Sequence, residues 1–174
     1  LPIVAINTTA GTASEATINY VITDEERKLK MVIVDPNCLA TVAVNDPVLM
    51  LKMPKSLTAA TGMDALTHAI EGYTTAGASR FTDLFNLEAI KAISGSLRQA
   101  VEDGEDLDAR DAMAYGQFVT GMGFSNGGLG IVHSMAHQLG GFYDLPHGVC
   151  NAILLPYVTA FNADAVGDRL KDIA

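Results

Sequence analysis

Two pairs of polar residues spaced four apart, Asp64/His68 and His133/His137, lie in stretches that are otherwise apolar and glycine-rich, GMDALTHAIEGY and GIVHSMAHQLGG. Residues i and i+4 share one face of a helix, so each pair predicts a helix that aims both side chains the same way. A carboxylate in the middle of an apolar helix is costly to bury without a partner, and a cation offsets that cost best. The remaining histidine, His147, follows in Leu145-Pro146-His147-Gly148. Proline marks the first turn of a further helix, and the positive end of that helix disfavours imidazolium, leaving His147 neutral and able to ligate.

One carboxylate with three imidazoles is a mixed oxygen and nitrogen set, suited to Zn(II) or Fe(II) and too rich in nitrogen for Mg or Ca. Asp64, His68, His133 and His147 are therefore the expected ligands, with a salt bridge to Asp64 as the competing explanation. A site that keeps a position open for substrate needs only three or four protein groups. His137, one turn beyond His133, is assigned instead to relaying a proton or contacting the reactive end of a cofactor. A simply buried imidazole is its bland alternative.

The chain has 174 residues, 49% hydrophobic and 18% charged, enough to bury a core of one domain or of one domain and part of another. A formal charge of -9 argues against nucleic acid and anionic membrane as partners, because both call for clustered Lys and Arg. The longest apolar run, Val149 to Phe161, is broken by Asn151 and Pro156 and falls short of the roughly 18 residues of a membrane span, so no transmembrane helix is expected. Cys38 and Cys150 form neither a CxxC nor a disulfide framework, which points to a reducing, cytoplasmic compartment. The opening Leu1-Pro2-Ile3-Val4 has no initiating Met and no basic segment, and reads as the middle of a longer protein.

The first third alternates short β-rich runs with turn residues: Ile3 to Ile6, Thr17 to Thr23, Lys30 to Val34 and Thr41 to Val44. The second and third read as a hairpin around the charged turn Asp24 to Arg27. Near residue 54 the period becomes helical, which sets the expected domain boundary. A first helix is expected with Ser56 as N-cap and Leu66, Ala69, Ile70 and Tyr73 inward. A second should start after Thr82 with Leu84, Leu87, Ile90, Leu97 and Val101 inward and end at Asp103-Gly104. A third should run from Leu107 to Ser125 before Asn126-Gly127-Gly128 stops it, and two more carry His133/His137 and His147.

Thr8-Thr9-Ala10-Gly11-Thr12-Ala13-Ser14-Glu15 is small and hydroxyl-rich and can approach a ligand closely, a phosphate included. Neither G-x-G-x-x-G nor G-x-x-x-x-G-K-[ST] is present. Lys30, a strand lysine, is open to two readings, a cofactor contact or solvent. No Ser-His-Asp elbow appears. Phe124, Phe142 and Tyr143 are candidates for a small apolar pocket beside the ligands.

Thr8 to Thr12, Gly62 to Glu71, Gly130 to His137 and Pro146-His147-Gly148, in that order, resemble the iron-containing (group III) alcohol dehydrogenases. The nearest likeness is to their lactaldehyde reductase, propanediol and methanol dehydrogenase branch. The resemblance covers essentially the whole chain. It implies an α+β fragment of dehydroquinate synthase-like architecture: residues 1–54 as the tail of an α/β dinucleotide-binding domain, and 55–174 as a mostly α-helical metal-binding domain, incomplete at its C-terminus. It also implies Fe(II), or Zn(II), on Asp64, His68, His133 and His147, and NAD(H) beside Thr8, Thr9, Thr12 and Lys30, with His137 near the nicotinamide. The implied activity interconverts a primary alcohol or small diol and its aldehyde by hydride transfer, the metal acting as a Lewis acid. The full-length protein is expected to be a homo-oligomer. Family members are about twice this length and carry a glycine-rich pyrophosphate loop upstream that this sequence lacks, so the segment alone is expected to be inactive. The alternatives are a glycerol dehydrogenase-like or dehydroquinate synthase-like zinc enzyme, or a non-catalytic metal-binding helical module.

Overall fold

The structure, a computed structural model, describes residues 2–174. Strand β1 (Val4–Ile6) pairs in parallel with β4 (Val42–Val44), Val4 opposite Val42, while β2 (Asn19–Asp24) and β3 (Leu29–Val34) form an antiparallel hairpin. The charged turn falls one residue later than the sequence suggests, because Asp24 still pairs with Leu29 and Lys28 takes the left-handed conformation that closes the loop. These strands are short and mostly exposed, with Val4 60% and Val34 58% accessible. The helical part follows as α1 (Lys55–Thr74), α2 (Arg80–Glu102), α3 (Leu107–Gly127), α4 (Ile131–Tyr143) and α5 (His147–Ile173).

Helix α1 lies at the centre, packed by α2 and α3 on one side and by α5 on another. Its buried positions run almost all the way round and are mostly small: Gly62, Ala65, Thr67, Ala69 and Gly72. Small residues let neighbouring axes approach closely, and the main core, with Met50, Ile90, Ile93, Met113, Ala114 and Val119, fills the space between α1, α2 and α3. A second cluster of Val132, Leu155 and Val158 joins α4 and α5 to Met63 and Ile70 of α1. The end of α5 is tied back to α1 and α2: the Tyr73 hydroxyl donates to Asp172 at 2.7 Å, and Arg169 donates to the Tyr73 carbonyl and pairs with Asp83.

Several boundaries differ from expectation for identifiable reasons. Pro54, not Ser56, occupies the N-cap position of α1, in an extended conformation that offers no side-chain cap. Helix α2 starts at Arg80, because Ser79 caps it and Thr82 completes a reciprocal capping box at N3. Its buried positions are Thr82, Asn86, Ala89, Ile90, Ile93 and Ala100, with Leu87 and Leu97 packed beside them as expected, whereas Leu84 is 70% exposed. Helix α3 continues two residues past Ser125 and stops at Gly128, whose φ of 89° favours glycine. Helix α5 runs on through Pro156 to a bend at Val166, and by length and composition alone it could cross a bilayer. Its polar positions Asn151 and His147 face the site described next.

Candidate metal centre

Three helices deliver the site. Helix α1 supplies Asp64, His68 and Glu71 on successive turns, α4 supplies His133 and His137, and α5 supplies His147 from its first turn and Asn151 from its second. The crossing of α5 over α1 is unusually close, since a Cβ on Gly148 would collide with the Ala60 carbonyl. That approach sets His147 against Asp64 of the neighbouring helix. Asp64 Oδ1 lies 3.5 Å from His133 Nε2 and 3.4 Å from His147 Nε2, and the three ligating atoms all fall within 4.8 Å of one another.

His68 stands beside this group. Its Nδ1 is 4.0 Å from Asp64 Oδ1, and its ring is stacked between Phe124 (4.4 Å between centroids) and His133 (4.3 Å). Phe124 is thus part of the site, whereas Phe142 and Tyr143 are exposed on the far end of α4. His137 is partly buried, its ring 5.2 Å from that of His147 and 6.4 Å from that of His133.

Glu71 was not singled out by the sequence, yet it organises α4. Its Oε1 accepts from the Val132 N–H at 2.7 Å, and its Oε2 lies 3.2 Å from the His133 N–H and 2.6 Å from His133 Nδ1. Helix α4 has no side-chain cap of its own, so this carboxylate from α1 satisfies the orphan donors of its first turn. Gly130 is required there, because a Cβ would come within 2.6 Å of Glu71 Oε1. Accepting from Nδ1 orients the His133 ring, with Nε2 turned toward Asp64.

Burial and charge agree with a cation site. Burial alone would raise the Asp64 carboxyl, but His68, His133 and His147 around it hold it below the ordinary range. Burial likewise works against Glu71 ionisation, and the hydrogen bond from His133 outweighs it. Burial pushes His68 down to about 3 and His137 down to about 4, the latter helped by His147, His133 and Lys30, so both rings are neutral near pH 7. His147 is lowered mainly by burial, whereas His133 is raised despite burial because it sits between Asp64 and Glu71. The two buried carboxylates thus have no ionisable partners other than imidazoles; among the described residues no Lys or Arg pairs with either.

The donor set fits Fe(II) or Zn(II). A four-coordinate site with bonds of about 2.1 Å has ligand atoms about 3.4 Å apart, close to the 3.4 and 3.5 Å measured from Asp64. Buried His68 Nδ1 and His147 Nδ1 find no hydrogen-bond partner in the protein. The cluster forms one wall of a cleft of 740 Å³, whose other walls carry Thr12, Lys30, Phe124 and His137. Thr8 and Thr9 do not line it; Thr8 is exposed, and it is Thr12, Ser14 and Thr17 that face the cleft. Ala13 N donates to Gln117 and Gln117 donates to Glu15, which anchors this loop on α3.

Comparison with known proteins agrees with this arrangement. Residues 58–174 match the C-terminal part of the Fe-containing alcohol dehydrogenase family, and residues 1–47 match iron-containing alcohol dehydrogenase. The lactaldehyde reductase of Escherichia coli K12 is 59% identical over 174 residues, covering 100% of this chain and 45% of the relative. The NAD-dependent methanol dehydrogenase of Bacillus methanolicus is 54% identical over 174 residues, covering 100% and 46%. Among solved structures, 1,3-propanediol oxidoreductase superposes with a TM-score of 0.95 at 55% identity, covering 99% of this chain and 45% of that one. The chain thus spans a little under half the length of the relatives it matches.

Proposed function

Because the chain belongs to the iron-containing alcohol dehydrogenase family, we propose that it forms the metal-holding part of an NAD(H)-dependent oxidoreductase interconverting a small primary alcohol or diol and its aldehyde. The observation that carries this reading is the convergence of Asp64, His133 and His147 on one wall of a cleft that Thr12 and Lys30 line on another. Asp64, His133 and His147 would hold Fe(II) or Zn(II), with His68 as the fourth ligand. When bound, the ion supplies Lewis acidity that makes the alcohol more acidic and polarises the aldehyde carbonyl.

The other roles fall to the chain's own groups. Glu71 orients His133, and Phe124 backs His68 and keeps water from that side of the cleft. Lys30 and Thr12 line the dinucleotide side, where a lysine complements phosphate charge; Thr8 and Thr9 belong to the same loop and would touch the dinucleotide from outside the cleft. His137, beside His147 and lining the cleft with Lys30, would relay a proton at its ring nitrogen. The names of the relatives, covering lactaldehyde, methanol and 1,3-propanediol, support small substrates over a glycerol dehydrogenase-like or dehydroquinate synthase-like chemistry. A non-catalytic module would have no use for a cleft of this size beside its metal ligands.

The family matches, ending at 47 and resuming at 58, support residues 1–54 as the tail of the cofactor domain and 55–174 as the metal domain. Two free cysteines, one of them buried, support a cytoplasmic setting, and the exposed β1 and β4 support completion by further chain and a homo-oligomer at full length. The test is anaerobic loading of the full-length protein with Fe(II) or Zn(II), followed by elemental analysis and NADH-dependent reduction of lactaldehyde. His147→Ala should lose metal and activity together, whereas His137→Ala should keep metal and turn over more slowly. Full activity in a metal-free His147 variant would overturn the assignment.

A further inference from the structure

Asn151 is wholly buried in the second turn of α5, four residues after His147 and therefore on the same helical face. Its amide nitrogen donates to Asp64 Oδ1 at 2.7 Å and lies 3.2 Å from His133 Nε2 and 3.3 Å from His147 Nε2. This one group touches all three atoms of the cluster. Turning the amide over would set Oδ1 against a carboxylate oxygen, so the contact with Asp64 fixes the nitrogen inward. An amide nitrogen can only donate, and the Asp64 carboxylate oxygen that accepts from it keeps further lone pairs free for a metal, so this contact orients a ligand without competing for it.

Packing does not explain the residue. Asparagine is a poor helix former, and here its Oδ1 is buried without a partner, a cost that an alanine in the same turn would avoid. All of its favourable contacts run through the amide nitrogen to the candidate ligands. Glu71 completes the arrangement from the other edge of His133, accepting from Nδ1 while Nε2 stays turned toward Asp64.

We infer that Asn151 is a positioning residue of the metal centre: its side-chain amide donates to Asp64 Oδ1 and orients that carboxylate beside His133 and His147. The inference rests on the metal-site reading above. Groups that orient metal ligands from outside the coordination shell typically change affinity by about 10–100-fold when removed. Asn151→Ala is therefore expected to weaken Zn(II) binding by roughly that factor and to broaden the visible absorption of bound Co(II), with far-ultraviolet circular dichroism unchanged.

The experiment is chelator competition with Zn(II), and Co(II) spectroscopy, on the whole chain as wild type, Asn151→Ala, Asn151→Ser and His147→Ala. Asn151→Ser keeps a short donor and should fall between wild type and Asn151→Ala; it also serves if the alanine variant does not fold. Wild-type affinity in both Asn151 variants, with binding lost in His147→Ala, would overturn the positioning role and leave the metal site standing. Absence of Zn(II) binding by the wild type would overturn the metal reading and this inference with it.

Discussion

At the scale of single residues, spacing revealed the groups that point along one helix and missed those whose role depends on a second. Asp64/His68 and His133/His137 are legible because i and i+4 must share a face. Asn151 stands at the same spacing from His147, but within an apolar run it reads only as an interruption; its meaning appears when α5 crosses α1. Glu71 was hidden for the same reason, since nothing in GMDALTHAIEGY says that the N-terminus of another helix will end on its carboxylate. That double duty makes Glu71 testable. Glu71→Gln keeps an acceptor for His133 Nδ1 but sets its NH2 against the Val132 N–H, so it should weaken Zn(II) binding by about tenfold and destabilise the fold by about 1–2 kcal/mol. Glu71→Ala strips two buried backbone donors and an imidazole of their acceptor and should destabilise the fold by about 2–4 kcal/mol, read from urea unfolding in chelator. Equal Zn(II) affinity in wild type and both variants would show that Glu71 serves α4 alone.

At the scale of elements, all five helices were legible from the shift in period, and their ends were less so. The start of α2 depends on Ser79 and Thr82 capping each other, a pattern that resembles a loop when Thr82 is read as a breaker. The stripe of α2 holds at Ile90, with Leu87 and Leu97 packed against the core, but apolar spacing passed over the small and polar inward positions Ala89 and Asn86 and took in Leu84, which faces out. The strands were harder to place: β1 and β4 pair in parallel across 38 residues of sequence, and no local signal fixes such a partner. Element packing predicts opposite outcomes for two glycines. Gly148→Ala must push α5 away from Ala60 and is expected to cost about 1–3 kcal/mol and to weaken Zn(II) binding, since His147 moves with the helix. Gly95→Ala, with nothing within 4 Å of the added Cβ on an exposed face of α2, should stabilise the chain by about 0.5–1 kcal/mol and leave metal affinity alone. Thermal or urea unfolding with parallel Zn(II) titrations distinguishes the two.

At the scale of the molecule, the cluster is where α1, α4 and α5 meet, whereas α2 and α3 reach α1 through a continuous apolar core on the other side. Helices α4 and α5 share a much smaller apolar cluster, Val132, Leu155 and Val158, and α4 begins on a carboxylate that belongs to α1. A cation bound by Asp64, His133 and His147 would therefore cross-link the less securely packed side of the fold to its central helix. Ligand that binds only the folded state stabilises it by about 2.7 kcal/mol when free ion is held at a hundred times its Kd. That stabilisation should be distributed unevenly. Hydrogen exchange followed with Zn(II) and then in chelator should show the loss of protection concentrated in α4 and in the first turns of α5, with the amides of α2 and α3 changing least. A uniform loss across all five helices would mean that the molecule opens as one cooperative unit and that the metal acts on the whole core. A loss confined to α4 and α5 would make the ion the clamp that seats His137 in the cleft opposite Lys30.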